Sequence, residues 1–146
     1  MHIQELIPHS GVMVLVDDIV EKKDDFISVK TLIKYDNPFL QDGKFPTFNT
    51  LEIMAQSLVV YRGLNDNSSN NKLGFLLGSR KFKIYKPYLS IKDELITKTH
   101  ISEDFDGMGV YESNVYVDDK LVASASISVF NPSQEQLDQI LKASNE

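Results

Sequence analysis

The sequence has no cysteine, which excludes a disulfide framework, a thiol nucleophile and a thiolate metal site. Its histidines stand only at positions 2, 9 and 100, with no HxxxH or HExxH spacing, so no metal centre is expected. No Gly-rich phosphate loop and no GxSxG elbow occurs. Positive charge is in deficit, with 15 Lys and Arg against 21 Asp and Glu and a net charge of -6, which argues against a nucleic-acid partner. No apolar run approaches the ~20 residues of a membrane span. The opening MHIQELIPHS lacks the basic start and apolar stretch of a signal peptide, which places the protein in the cytoplasm by default. No internal repeat or boundary divides the 146 residues, so residues 1–146 are read as a single domain; 42% hydrophobic and 25% charged residues suit an ordinary globular core.

What is present is organised around Thr47 to Leu64, TFNTLEIMAQSLVVYRGL. Leu51, Ile53, Met54, Ala55, Leu58, Val59, Val60, Tyr61 and Leu64 go nearly all the way round a helix, and a helix of that kind belongs inside a protein. Glu52 and Gln56, four residues apart, share its one narrow polar stripe. Thr47, Asn49 and Thr50 are N-cap candidates that put Glu52 in or near the first turn, where the helix dipole favours an anion. A carboxylate is therefore expected to be buried at the helix head. Its plainer role is to complete a capping arrangement with Asn49.

Before the helix, residues His2 to Ile7 suit a short helical turn stopped by Pro8, and His9 follows in a loop. MVLVDDIV from Met13 to Val20 reads as a strand. FISVKTLIK alternates, with Phe26, Ser28 and Lys30 assigned inward against Ile27, Val29 and Thr31, and the two runs should pair as a hairpin. YDNPFLQDGKFPT is too rich in proline and glycine for regular structure. Beyond the helix comes the polar loop NDNSSNN from Asn65 to Asn71, then strands in LGFLLGSRKFKIY (Leu73 to Tyr85), DELITKTHIS (Asp93 to Ser102), VYESNVYV and LVASASISVF, with turns at FDGMG and at Asp118-Asp119-Lys120. Ser133 to Ala143 reads as an amphipathic surface helix. The class is α+β. One curled sheet cannot cover a helix apolar on every side, so a second copy of the molecule is expected to cover the rest.

For chemistry, His9 and Glu52 are the residues that stand out. Histidine titrates near neutral pH and a desolvated glutamate has a raised pKa, so the pair can supply one base and one acid together. A histidine that only ties its loop is the alternative at position 9. His100 lies in an alternating strand and is read as structural, and His2 is terminal. Arg80, Lys81, Lys83, Lys86 and Lys92 gather positive charge that suits either a solvated strand face or an acidic, phosphorylated partner.

These residues carry a resemblance. LIPHSGVMVLVDDIVE, DNPFLQDGKFPTFNTLEIMAQ, GFLLGSRKFKIYKPYLSIKDEL and VYVDDKLVASASISVF lie in the order, and cover most of the length, of the β-hydroxyacyl-[acyl-carrier-protein] dehydratases. The chain resembles especially the small divergent branch of that hot-dog superfamily found with aryl-polyene pigment biosynthesis. The E-x-M-A-Q run from Glu52 to Gln56, followed by GFLLG and KPYLSIKDEL, is its most specific part. The resemblance implies a hot-dog fold, a curved antiparallel sheet of about six strands wrapped round the long helix. It also implies a homodimer with active sites at the subunit interface. One departure is clear: where the fatty-acid enzymes carry the histidine of an H-F-P segment, this chain has GKFP with Lys44, and the loop to Glu52 is shorter. Glutamate transfers directly and histidine transfers to His9, in the Pro-His motif of the divergent branch.

The implied reaction removes water from a 3-hydroxyacyl thioester on an acyl carrier protein to give a trans-2-enoyl thioester, with no cofactor or metal. His9 would take the α-proton, and Glu52, kept protonated by burial, would supply the proton that leaves with the hydroxyl. Gln56 would orient Glu52 through their shared stripe. Amides at Thr50 to Glu52 or at Gly78 would hold the thioester oxygen. Met54, Leu58, Phe75 and Leu77 would line an acyl tunnel, and Arg80, Lys81, Lys83 and Lys86 would contact the carrier. A hot-dog thioesterase, needing Glu52 but no histidine, and an inactive acyl-binding hot dog are the alternatives.

Overall fold

A computed structural model describes residues 14–65, 75–105 and 108–130, with Gln139 and Lys142 alone in the C-terminal stretch, both helical. The expected turn at His2 to Ile7, the loop after Asn65 and most of the helix from Ser133 lie outside the described residues.

β1 (Asp18–Lys23) and β2 (Phe26–Leu32) form the expected antiparallel hairpin. The apolar run that opens it divides, however. Residues 14–17 are outside the strand, yet Leu15 and Val16 are buried. There the Leu15 N–H donates not to a neighbouring strand but to the Gln56 side chain, at 2.8 Å. Facing within β2 is the reverse of the expectation. Ile27, Val29 and Thr31 are buried while Phe26 and Lys30 are half-exposed, and of the outer row only Ser28 is buried. Both rows mix polar and apolar residues, and the one with two β-branched aliphatics gains more by burial. Phe26 is accommodated outside with its ring tilted against that of His100, ring centroids 4.6 Å apart.

A short β3 (Lys44–Pro46) interrupts the expected loop and pairs with β5 (Tyr88–Ser90), itself unforeseen, as a two-stranded ribbon. A 3-10 turn (Thr47–Asn49) then leads into α1 (Thr50–Asn65), and the Thr47 N–H donates to the Pro87 carbonyl. The remaining strands are β4 (Phe75–Ile84), β6 (Glu94–Phe105), β7 (Met108–Val117) and β8 (Lys120–Phe130). With β1 and β2 they make a six-stranded antiparallel sheet ordered β1-β2-β6-β7-β8-β4, in which β1 and β4 are the edges. Irregular register in β1, β4 and β6 increases the local twist, which lets the sheet curl. The turn between β7 and β8 holds Asp118 and Asp119 at φ 51° and 62°, the two left-handed residues of a type I′ hairpin.

α1 packs on β2 and β6. Every residue from Thr50 to Tyr61 is buried or half-buried, as its composition required. Ile53, Met54 and Val60 are completely covered. The sheet admits the helix with small residues: Thr97, Thr99, Ser113, Ala123 and Ala125 are all buried, and the hydroxyls of Thr99 and Ser113 share a hydrogen bond of 2.6 Å. Among the described residues no helix is long and apolar enough to cross a membrane.

Gly109 on β7 marks a close approach. A Cβ there would sit 2.7 Å from a ring carbon of buried Tyr111, so Gly109→Ala is expected to displace the ring and cost about 1–3 kcal/mol, the usual range for an overpacked core. Urea unfolding of the two proteins measures the loss.

Candidate active site

The site is built on the head of α1. The Thr50 hydroxyl donates to the Thr47 carbonyl at 2.7 Å, and the Thr50 N–H turns back on the same carbonyl. Glu52 lies in the first helical turn. It is half-buried rather than buried, because the sheet covers the neighbouring side of the helix more completely. Leu51, Ala55 and Val59 are half-buried in the same way, and at helical spacing they fall on one stripe with Glu52. A carboxyl thus stands at the end of an apolar, partly open strip.

Gln56, only 1% exposed, has a partner at each end of its amide. Nε2 donates to Glu52 Oε1 at 3.1 Å, and Oε1 accepts the Leu15 N–H at 2.8 Å. The pairing of Glu52 with Gln56 was legible from their spacing. Leu15 was not, because every residue carries a backbone N–H and nothing local marks one for a partner 41 positions away.

The other expected site residues are spread more widely. Met54 and Leu58 are buried in the core. Gly78 lies on edge strand β4, opposite Ser128 and beside a register shift; Phe75, Leu77 and Arg80 share that strand, but their side chains lie outside the described part. Lys81, Lys83 and Lys86 are exposed, and none has an ion-pair partner among the described residues. Lys81, at φ 55°, sits where the β4 register shifts between Arg80 and Lys83. His9 lies outside the described residues. His100 is exposed on β6 with its ring tilted against that of Phe26. Lys44, at the place of the H-F-P histidine, is exposed on β3 with its ammonium 5.9 Å from the centre of the Tyr88 ring. Among the described residues no group of three or more His, Cys, Asp or Glu could hold a metal ion.

Residues 1–142 match the model of the ApeP-like family, described as ApeP dehydratase. The chain belongs to this dehydratase family. It is similar to the 3-hydroxyacyl-[acyl-carrier-protein] dehydratases FabZ of Streptococcus equi subsp. zooepidemicus and Streptococcus uberis. Identity to each is 31% over 132 residues, covering 86% of this chain and 92% of the relative. Among solved structures it resembles the dehydratase heterocomplex ApeI:P from Xenorhabdus doucetiae, with a TM-score of 0.81, 22% identity and 97% of each chain covered. It also resembles a hypothetical thioesterase with coenzyme A from Streptococcus pneumoniae, with a TM-score of 0.63, 17% identity, and 80% of this chain and 88% of that one covered. This dehydratase therefore has the hot-dog fold that its sequence implied.

Gln56→Leu would leave the buried Leu15 N–H without its acceptor. A loss of about 1–3 kcal/mol is expected, seen as a lower denaturant midpoint with an unchanged m-value.

Proposed function

We propose that this dehydratase removes water from a 3-hydroxyacyl thioester carried on an acyl carrier protein, in fatty-acid or polyene biosynthesis, with Glu52 as the general acid. The observation that carries the reading is a carboxyl in the first turn of the central helix, held by Gln56, at the end of the half-open strip of Leu51, Ala55 and Val59. That strip supports an acyl chain better than Met54 and Leu58, which are taken up by the core. His9 takes a proton from C2 and Glu52 gives one to the hydroxyl on C3. As the C3–O bond breaks, water leaves and the C2–C3 double bond forms. The enolate-like oxygen needs preorganised N–H donors. Since the Thr50 N–H is engaged with the Thr47 carbonyl, the main chain around Gly78, where the ladder slips, is the better source.

A second subunit completes the site. Among the described residues edge strand β4 pairs only with β8, its sequence begins with the apolar FLLG, and an apolar edge invites another strand. A homodimer is our reading, and pairing with a different hot-dog chain is the variant that the Xenorhabdus heterocomplex suggests. The exposed lysines 81, 83 and 86, with Arg80, suit an acidic carrier domain, and such a substrate sets the reaction in the cytoplasm.

Glu52→Gln is expected to lower kcat by roughly 10²- to 10⁴-fold, the usual worth of a general acid, with an unchanged circular dichroism spectrum. His9→Ala should lose a comparable factor in dehydration; continued hydrolysis of the thioester by that variant would instead favour a thioesterase. Mass spectrometry of a 3-hydroxyacyl thioester separates loss of water from loss of the acyl group. Reversing Arg80, Lys81, Lys83 and Lys86 to glutamate should raise KM for a carrier-linked substrate while sparing a short thioester mimic. Light scattering of the purified protein tests the dimer, and a monomer at micromolar concentration would exclude a homodimeric site.

A further inference from the structure

We propose that Lys44, held over the ring of Tyr88, binds the phosphate of the phosphopantetheine arm on which a thioester substrate enters, an inference that rests on dehydration taking place at Glu52. In the half-open strip, Ala55 and Val59 follow Glu52 toward the C-terminal end of α1. An acyl chain laid on them therefore points its thioester the other way, past the head of the helix. At that end stands the ribbon of β3 and β5. It is tied to the 3-10 turn that opens α1 by the bond from the Thr47 N–H to the Pro87 carbonyl, 2.9 Å long. Phe48, four positions before Glu52, is 54% exposed, and Tyr88 is 50% exposed. Two large rings left half in water beside the site suit a long arm of mixed apolar and amide character.

The ribbon also places a charge there. Phe45 and Leu89 are buried and stand opposite each other in the register, so strand alternation turns their neighbours Lys44, Tyr88 and Ser90 outward, where all three are exposed. Lys44 lies opposite Ser90, one diagonal step from Tyr88, and its ammonium stands 5.9 Å from the centre of that ring. An aromatic ring orients a cation without neutralising it. The acids of the adjoining turns do not neutralise it either. Asp42 is exposed beside β3, and the Asp93 carboxylate accepts the Ser90 N–H at 2.8 Å; among the described residues neither is an ion-pair partner of Lys44. Lys86, exposed just before Pro87, continues the positive charge toward Lys83 and the proposed carrier contact. A lysine at the place of the H-F-P histidine thus stands as an outward-facing cation, and an ammonium of that kind is an ordinary phosphate ligand.

The test compares 3-hydroxyacyl thioesters of phosphopantetheine and of pantetheine, which differ by the phosphate alone. Wild type is expected to favour the phosphorylated one by about two- to tenfold in kcat/KM, expressed in KM, as suits an exposed ion pair. The preference should shrink in ~0.5 M sodium chloride, where such a contact is screened. In Lys44→Gln the two substrates should become equivalent, and Lys44→Arg should restore the preference. Each protein is its own control, so a variant that folds poorly does not imitate this result. Coenzyme A thioesters and carrier-linked thioesters present the same phosphate. A larger Lys44→Gln loss with the carrier-linked substrate assigns the contact to the carrier's arm, a larger one with coenzyme A assigns it to that cofactor's arm, and either upholds the site. A preference in Lys44→Gln equal to that of wild type would overturn the proposal, and a fall in kcat on both thioesters beside it would place Lys44 in the chemistry instead. A wild type indifferent to the phosphate would overturn it equally. Calorimetry with phosphopantetheine and pantetheine themselves separates this contact from the acid. A phosphate preference in binding that survives in Glu52→Gln upholds the site, whereas full dehydration by that variant would remove only the reading of Glu52.

Discussion

Burying a helix that has no wet side is the constraint on which the rest of this structure depends. Nearly all of α1 must be taken from water, and burial is worth roughly 25 cal/mol per Å² of apolar surface, so the chain supplies a sheet that curls. Strands β2 and β6 carry the helix, bulges in β1, β4 and β6 bend the sheet, and small buried residues line its middle strands. Curling in one chain still leaves Leu51, Ala55 and Val59 half-covered.

That incomplete cover and the chemistry coincide. Glu52 lies on the same stripe, so the part of the helix that the sheet does not close is also the part that presents a carboxyl. Full burial would isolate the group from substrate, and full exposure would leave it an ordinary surface acid. A half-buried first-turn position, with a buried amide hydrogen-bonded to it, gives a group that is held in place without being sealed from solvent. The ApeP-like family and the FabZ relatives set the reaction class in which such an arrangement is useful.

Much of this was legible in the residues. The four-residue spacing of Glu52 and Gln56 announced a contact, the all-round apolar helix announced its own burial, and Asp118-Asp119 announced a tight turn. Other readings failed for physical reasons. In β2 both rows carry polar and apolar residues, so alternation alone could not say which row faces in. The 13–20 run was read as one strand because apolar residues look alike whether they extend a ladder or fill a core.

The central helix, the long strands and the tight turn at Asp118-Asp119 were settled locally, because helix periodicity, strand alternation and turn conformation are properties of residues a few positions apart; the short ribbon of β3 and β5 was not. Tertiary structure decided the rest. Only packing placed Ile27 and Val29 inward, drew Leu15 out of the ladder and gave Lys44 an exposed place over Tyr88. It also fixed the orientation of the Gln56 amide, since that depends on a backbone N–H 41 residues away, a distance over which no local pattern carries information.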